Sequence, residues 1–401
     1  MDHREVIDLC SSPETAPFAA RQQPQAPIET ANDHHDYSES RKRRRRMDQN
    51  HSIATGYIFA PAEAAATPST SDVSLVFLND DNASPCTVTE GLLPLLEKAS
   101  NRATTSTKAM IRVCSSSPSV SSLHHIQQKD TWSCGFRNLQ MLLTSLLPLV
   151  TSEHSVFRSI AYTADYRAVP SLTELQSYLE QCWAAGYDPK GAAHFHHRMV
   201  GKRNVWIGAV EVAACLSFLG IDATVVQFLV CPASRRSIGR FCAAYFATEP
   251  EDQEGRCCCH TSMGIAQQML QTPPFSVTVD ALQASGTQHA AAPRLPLYLQ
   301  WKGHSVTVVG VEWQRGGNPT HLLVFDPRKS GQSFRQALQQ DAMQPFRIPL
   351  SQLYTKDTQI VVPSTASLSV ADQQALRGPV DVLSAAETAV KNFLTQQRDG
   401  R

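Results

Sequence analysis

The chain has 401 residues, a length that accommodates one or two domains. It contains 36 Lys plus Arg and 36 Asp plus Glu, so the net charge near pH 7 is about zero and gives no overall attraction to nucleic acid or to a membrane. The sequence has no run of eighteen apolar residues, so we expect no transmembrane helix and no membrane partner.

The N-terminal residues and the cysteines bear on the compartment. The first residues, MDHREVIDLCSSPE, are too charged for a secretory signal peptide. Eleven cysteines without such a signal indicate reduced thiols in the cytosol or nucleus. No two cysteines have the CxxC spacing of a zinc finger, and adjacent cysteines in the run Cys257-Cys258-Cys259-His260 point in different directions. We therefore expect neither a metal nor a cofactor.

Residues 1–104 are rich in Ser, Pro, Gln, Ala and Thr, and we predict that they are largely disordered. One short β-branched run stands beside acidic and phosphorylatable residues. It consists of Val6, Ile7, Asp8 and Leu9. Such a run can add a strand to a partner's sheet and resembles a SUMO-interacting motif, although a pattern this short also occurs by chance. A second apolar run, residues 73–78, is either a weaker motif of this kind or a strand that docks on the folded domain.

Six consecutive basic residues, RKRRRR at positions 41–46, interrupt the same region. A like-charge block of this kind is typical of a nuclear localisation signal or a nucleic-acid patch, and the alternative is a solvated charge run. We expect a nuclear protein, with the cytoplasm as a second compartment, and contact with nucleic acid only through this block.

A folded peptidase domain is predicted for residues 105–363. Its first helix begins at Cys134, because apolar residues recur three and four positions apart. These residues are Phe136, Leu139, Leu143, Leu146 and Leu147. A second helix is predicted over residues 171–183, where the first serine is the N-cap and Glu174 completes a capping box. A third, over residues 206–219, ends at a glycine C-cap.

The second half of this domain is predicted to be mainly strands. A strand over residues 223–229 precedes an insertion, about 231–293, that we predict to be poorly ordered. Three apolar runs separated by glycine turns then indicate an antiparallel meander. They are residues 295–301, 305–313 and 321–325. Helices before strands favour an α+β fold. The tail, residues 364–401, contains a candidate amphipathic helix over 382–394.

Cys134 is the strongest candidate nucleophile. It lies between small residues at the predicted start of a helix, where the positive end of the helix dipole lowers the pKa of a thiol and favours the reactive thiolate. The alternative is a small buried hydrophobic residue, as most free cysteines are. Gln128 lies six residues upstream, the spacing at which papain-like proteases place a glutamine that donates its amide to the oxyanion.

His304 and Asp326 are its candidate partners. His304 follows Gly303 at the start of one predicted strand, and Asp326 follows the next strand. Neighbouring antiparallel strands can bring the two together, so that the carboxylate fixes the imidazole tautomer and the imidazole takes the thiol proton. The three residue types together predict a Cys-His-Asp triad. Trp132 and Trp301 are candidates to line the substrate cleft, and the alternative for both is ordinary aromatic core.

Four segments resemble the papain-like peptidases that comprise the Ufm-specific proteases and the zinc-finger ubiquitin peptidase. They are WSCGFRN at 132–138, WIGAVE at 206–211, LYLQWKGHS at 297–305 and LVFDP at 323–327. The resemblance extends over roughly residues 120–363, with 231–293 poorly matched. It implies a papain-like α+β fold, in which a helical part that carries the nucleophile packs on an antiparallel sheet that carries His and Asp. It also implies a thiol isopeptidase acting on ubiquitin or a ubiquitin-like modifier.

One local difference separates the branches of this family. Ufm-specific proteases carry the catalytic residues together as Asp-Pro-His, whereas here Arg328 follows Asp326-Pro327 and the histidine is His304. This arrangement resembles the ubiquitin-directed branch, although the zinc fingers of its animal member are missing. We therefore predict a deubiquitinase whose partners are ubiquitin or polyubiquitin conjugates. The alternatives are a Ufm-specific protease, an inactive ubiquitin- or SUMO-binding adaptor, and an autophagy-type protease acting on lipidated modifiers.

Overall fold

The computed structural model describes residues 76–77, 86–106, 109–114, 123–146, 168–230, 237–247, 261–271, 294–314 and 318–388. The described residues belong to one compact unit. Three features predicted from the sequence lie outside them: the SUMO-interacting-like run at 6–9, the basic block at 41–46 and the Cys-Cys-Cys-His run at 257–260. No described helix is both long enough and apolar enough to cross a membrane.

The described helices are α1 (Leu92–Ser106), α2 (Cys134–Leu146), α3 (Leu172–Ala184), α4 (Pro189–His194), α5 (Ala209–Phe218), α6 (Ser237–Ala247), α7 (Ser262–Gln271), α8 (Gly331–Gln339), α9 (Leu350–Leu353) and α10 (Val370–Ala375), with a 3₁₀ turn at Gln344–Phe346. The described strands are β1 (Val76–Phe77), β2 (Cys86–Thr89), β3 (Ala109–Val113), β4 (His125–Gln128), β5 (Ala168–Val169), β6 (Ile221–Phe228), β7 (Leu297–Trp301), β8 (His304–Gln314), β9 (Pro319–Phe325), β10 (Arg347–Pro349), β11 (Thr358–Ser367) and β12 (Val382–Ser384).

Eight of the described strands form the central sheet. Their order is β10-β9-β8-β7-β11-β6-β12, and β3 pairs with the far end of β8. All of these pairings are antiparallel except that of β12 with β6. The predicted meander is confirmed as β7, β8 and β9, with Trp301 opposite His304 and Thr307 opposite Phe325. This register places the start of β8 beside the end of β9.

Helix α2 lies inside the domain. All of its residues are buried, including the polar ones, because it packs against β8, β7 and β4 and also against α3 and α5. Helix α6 also packs on β8 and β9, so β8 is buried from His304 through Trp313. Burial on this scale explains why β8 and β9 read as continuous apolar runs rather than as alternating ones. The result is an α+β fold with the predicted helical part packed on an antiparallel sheet.

The helix caps follow local sequence. The capping box at the start of α3 is confirmed: Ser171 Oγ accepts from the Glu174 N–H at 3.2 Å, and Glu174 Oε2 accepts from the Ser171 N–H at 2.8 Å. The helix predicted over 206–219 begins later, at Ala209, because Gly208 is extended and occupies the N-cap position. Trp206 therefore lies in a loop instead of a helix.

The predicted disorder of residues 1–104 is wrong for residues 86–104. Strand β2 pairs with β4, and α1 buries Leu92, Leu93 and Leu96 completely. This apolar cluster is only five residues long and is diluted by its polar surroundings, so composition hides it. Strand β1, within the apolar run at 73–78, pairs in parallel with β5, which favours the docked-strand interpretation of that run.

The predicted poor order of the 231–293 insertion is wrong for residues 237–247 and 261–271. These residues form α6 and α7, and α7 packs on β6 and β11. The two helices are short and lie in a stretch rich in Pro, Gln, Ser and Cys, so composition hides them, and packing on the sheet stabilises them.

The predicted end of the domain at residue 363 and the predicted helix at 382–394 also need correction. Strand β11 continues to Ser367, and α10 and β12 follow it. Residues 382–384 form β12 because the open edge of β6 supplies backbone partners for Val382, Leu383 and Ser384. Helical structure begins only at residue 385 and is described to residue 388.

Candidate active site

The turn before α2 places Cys134 at the first position of that helix. Asp130 Oδ1 accepts from the backbone N–H groups of Trp132, at 2.9 Å, and Ser133, at 2.7 Å. These hydrogen bonds turn the chain into the helix, and Cys134 is only 5 % exposed. A thiolate at this position is stabilised by the positive end of the helix dipole.

His304 and Asp326 meet as the register of β8 and β9 requires. His304 Nε2 lies 2.8 Å from Asp326 Oδ1. The histidine is buried and the carboxylate is half-buried. His304 Nδ1 is buried and has no hydrogen-bond partner in the described part of the chain, so it is the ring nitrogen left for the Cys134 thiol, whose pKa His304 lowers. The structure thus brings the three predicted triad residues together.

Electrostatics at the site favour the charged forms. Burial raises the pKa of the Cys134 thiol, but its hydrogen bonds to His304 and Ser305 outweigh burial, and the net pKa is lowered. Burial lowers the pKa of His304, but hydrogen bonds to Asp326 and Cys134 reverse the shift and raise the pKa overall. Burial raises the pKa of Asp326, but hydrogen bonds from His304 and the Arg328 N–H lower it overall. A thiolate, an imidazolium and a carboxylate therefore stabilise one another.

Gln128 lies beside this group at the end of β4. Its backbone N–H donates to Pro327 O at 2.8 Å, which joins β4 to the residue after Asp326. Its side-chain Nε2 donates to Asp130 O at 2.9 Å. An amide has two N–H donors, so one of them is still available for an oxyanion.

Asn138 belongs to the site but was missed in the sequence. It lies one turn after Cys134 and is completely buried. Its Nδ2 donates to Cys134 O at 2.8 Å and to Ser305 Oγ at 3.0 Å, and its Oδ1 accepts from Thr307 Oγ1 at 2.8 Å. These bonds join α2 to β8 next to His304. The only signal in the sequence is an amide four residues after the cysteine, one turn further along the same predicted helix.

The two predicted cleft tryptophans differ. Trp132 is 5 % exposed and packs edge-on against Phe136, so it belongs to the core. This burial favours the aromatic-core alternative for Trp132. Trp301 is half-buried, its ring centroid lies 5.4 Å from that of His304, and Lys356 Nζ lies 5.0 Å from the centre of its ring. Trp301 therefore lies against the ring of His304 and is partly exposed.

A third tryptophan, Trp206, stands beside the nucleophile's helix. It is 55 % exposed, and the next residue, Ile207, contacts Gly135 so closely that a Cβ added there would lie 2.7 Å from Ile207 O. Because Gly135, the residue after Cys134, has no side chain, this loop can lie against the start of α2. The sequence assigned Trp206 to a helix and did not suggest it as a cleft residue.

The described residues contain no group of three or more His, Cys, Asp or Glu side chains that could hold a metal ion. The site offers a thiol nucleophile, an imidazole base and a carboxylate that orients the base. These groups can perform acyl transfer through a thioester intermediate.

The sequence matches the family model for peptidase family C78 over residues 110–358. This chain belongs to peptidase family C78. The matched region includes all of the site residues described above and most of the central sheet.

Several curated proteins are similar to this C78 peptidase. Zinc finger-containing ubiquitin peptidase 1 of Homo sapiens is 28% identical over 305 residues, which cover 75% of this chain and 45% of that protein. The Mus musculus protein of the same name is 28% identical over 235 residues, covering 57% of this chain and 34% of its own length. Ubiquitin carboxyl-terminal hydrolase mug105 of Schizosaccharomyces pombe is 32% identical over 97 residues, covering 24% of this chain and 36% of that protein. The chain thus spans less than half the length of these relatives.

Among solved structures, the crystal structure of UfSP from C. elegans aligns with a TM-score of 0.31 and 12% identity, over 65% of this chain and 35% of that chain. This similarity is too low to support an argument about fold or function.

Proposed function

We propose that this C78 peptidase is a thiol-dependent isopeptidase that hydrolyses ubiquitin conjugates, including polyubiquitin. The observation that carries the proposal is the triad: Cys134 begins a helix, His304 lowers the pKa of its thiol, and His304 Nε2 lies 2.8 Å from Asp326 Oδ1. Membership of the family and the names of the similar peptidases support ubiquitin as the substrate class.

The first half of the reaction forms a thioester. The Cys134 thiolate attacks the carbonyl carbon of the modifier's C-terminal glycine, and the carbonyl π electrons move to its oxygen. The Gln128 amide and the Cys134 backbone N–H donate to this oxyanion, an effect of roughly 3 kcal/mol per donor. When the oxyanion collapses, the C–N bond breaks and the His304 imidazolium gives its proton to the leaving lysine nitrogen.

The second half hydrolyses the thioester. Neutral His304 takes a proton from water as the water oxygen attacks the thioester carbonyl carbon. The C–S bond then breaks, the modifier leaves as a carboxylic acid that loses its proton to solvent, and the thiolate–imidazolium pair is restored. Asp326 holds the ring in one tautomer throughout, because its carboxylate accepts from Nε2 and leaves Nδ1 to exchange the proton.

Trp206 and Trp301 are proposed to flank the modifier's narrow C-terminal tail. Trp206 is exposed on the loop that contacts the nucleophile's helix, and Trp301 is half-buried beside His304. Gly208, two residues after Trp206, lies close to the side chain of Gln300, the residue before Trp301. Aromatic side chains that flank the tail on two sides would favour glycines at its end, since residues without side chains fit between two rings.

Residue 328 supports ubiquitin over Ufm. The Arg328 backbone N–H donates to Asp326 Oδ1 at 2.9 Å, and its side-chain Nη2 donates to Gly303 O at 3.2 Å. An arginine therefore stands where the resemblance to Ufm-specific proteases requires the histidine. The base is supplied from β8 instead.

A panel of C-terminally reactive probes made from ubiquitin, SUMO and Ufm tests the proposal. We expect ubiquitin to label Cys134 fastest and a ubiquitin C-terminal fluorogenic substrate to be cleaved. Cys134→Ala should abolish both, while Cys242→Ala, which removes a buried thiol in α6, should retain them. Faster labelling by Ufm would assign the chain to the Ufm-specific branch. Labelling by none of the probes would favour the adaptor alternative.

We also propose that the basic block at 41–46 directs the protein to the nucleus. A fluorescent fusion of the full chain should concentrate in the nucleus, and replacing the six basic residues with alanine should release it to the cytoplasm. An unchanged distribution would refute the assignment.

The run at 6–9 is proposed to bind SUMO by adding a strand to its sheet. Replacing Val6, Ile7 and Leu9 with alanine should remove the binding of the full chain to immobilised SUMO. Binding that survives this replacement would show that the run is not the SUMO contact.

A further inference from the structure

A buried histidine that is not one of the reacting groups lies behind the triad. His125, in β4, is completely buried, and its Nε2 lies 3.1 Å from the backbone carbonyl oxygen of Asp326. We propose that His125 is a positioning residue that holds Asp326 against His304 through the main chain. This inference rests on the proposed function, because it assigns a role to a residue that supports the same site.

The contacts of His125 define its tautomer. A carbonyl oxygen only accepts, so Nε2 must carry the hydrogen. The ring meets Phe325 edge-on at 5.9 Å and Phe334 edge-on at 5.0 Å, measured between ring centroids. Its Nδ1 is buried and has no hydrogen-bond partner among the described residues. The ring is thus held by aromatic packing and makes one directed hydrogen bond, to Asp326.

The ring is neutral at working pH. Burial lowers the pKa of His125 to about 4, although the hydrogen bond to the Asp326 carbonyl and the charge of its carboxylate both raise it. A neutral ring does not compete with the His304 imidazolium for the Asp326 carboxylate. His125 can therefore orient Asp326 without weakening the charge pair that the reaction needs.

The position of Asp326 in the chain explains why it needs such support. Strand β9 ends at Phe325, so Asp326 lies one residue beyond the last ladder pair with β8, and Pro327, the next residue, has no N–H. Strand β4 supplies the missing partners: His125 donates to the Asp326 carbonyl, and the Gln128 N–H donates to the Pro327 carbonyl at 2.8 Å. One strand thus carries the proposed oxyanion donor and also anchors the carboxylate that orients the base.

Two substitutions separate this role from mere packing. His125→Phe keeps an aromatic ring between its aromatic neighbours but removes the hydrogen-bond donor. His125→Gln places an amide nitrogen near the position of Nε2 and so keeps a donor there. His124→Gln is the matched control, since His124 immediately precedes β4 and its Nδ1 lies 3.8 Å from the Glu90 carboxylate. We expect His125→Phe to lower kcat roughly fivefold to tenfold, the effect of one hydrogen bond, with KM unchanged. His125→Gln should recover most of this loss, and His124→Gln should equal the wild type.

A second readout does not depend on any substrate. The rate at which iodoacetamide alkylates Cys134, followed by mass spectrometry across pH, reports the thiolate that the His304 imidazolium stabilises. When Asp326 is less well held, the imidazolium is less stable, so His125→Phe should move the alkylation midpoint to higher pH. His125→Gln and His124→Gln should keep the wild-type midpoint.

Each outcome decides the proposal. A His125→Phe protein with lower thermal stability but an unchanged alkylation profile and kcat would show that the ring only packs. Equal impairment by His125→Gln would show that the donor is irrelevant, and either result overturns the proposal. If His125→Phe does not fold, His125→Asn, whose shorter amide does not reach the Asp326 carbonyl, takes its place. A wild type that cleaves no ubiquitin substrate would defeat the proposed function, and the alkylation profiles would still decide the role of His125.

Discussion

The buried amide of Asn138 should couple the nucleophile's helix to the sheet, and replacing it offers a quantitative test. Asn138→Leu keeps the approximate volume but removes the donors to Cys134 O and Ser305 Oγ and the acceptor for Thr307 Oγ1. Each buried group that loses its partner costs about 1–3 kcal/mol. Cys134 O also accepts a backbone N–H within the helix, so it keeps a partner when the side-chain amide is removed. The two contacts to β8 therefore account for most of the effect, and we expect a loss of about 2–4 kcal/mol in the free energy of unfolding.

Urea denaturation of the full chain measures this loss, and a double-mutant cycle identifies its origin. Thr307→Val removes the hydroxyl that donates to Asn138, so Asn138→Leu combined with Thr307→Val leaves fewer buried groups unpaired than the sum of the two single changes. We expect a coupling energy of about 1 kcal/mol or more. Ser145→Ala, which removes only the bond from Ser145 Oγ to Leu142 O within the same helix, should cost less than about 1 kcal/mol. Strict additivity in the cycle would refute the coupling between α2 and β8.

Three further predictions concern catalysis. Gln128→Ala should lower kcat by a factor of about 10²–10³ with little change in KM, because an oxyanion donor acts in the transition state. A rise in KM with unchanged kcat would instead indicate that Gln128 binds the substrate. Trp206→Ala should raise KM for ubiquitin substrates with kcat nearly unchanged, while Trp132→Phe, a conservative change in the core, should leave KM as it is; equal effects would contradict the flanking role of Trp206. The thiolate–imidazolium pair exists between the lowered pKa of Cys134 and the raised pKa of His304, so kcat/KM should rise with pH through the first and fall above the second. A profile whose acid limb lies at the pKa of an ordinary thiol would refute the ion pair.

Much of the fold could be predicted because its signals are local. The three-and-four spacing of apolar residues marks α2, and the Ser171–Glu174 pair marks the start of α3. Gly303, with φ of 89°, allows the tight turn that sets Trp301 opposite His304. From that turn and the next strand, the meeting of His304 with Asp326 follows from antiparallel pairing alone.

Other elements could not be predicted because their stability comes from distant partners. Helices α6 and α7 are short, lie in a stretch rich in Pro, Gln, Ser and Cys, and form where they pack on the sheet. Strand β12 forms on the open edge of β6, although its residues were predicted to be helical. Trp206 was predicted to be helical but lies in an exposed loop, because the extended Gly208 is the N-cap and the helix begins only at Ala209.

The sequence by itself identified the candidate reacting groups: a cysteine at a helix start, a histidine after a turn and an aspartate after a strand, each indicated by residues within a few positions. The tertiary structure alone decided what holds them. Asn138 joins α2 to β8, and β4 reaches across roughly two hundred residues to the carbonyls of Asp326 and Pro327. Contacts of this kind depend on which strand ends meet in space, and no local periodicity records them.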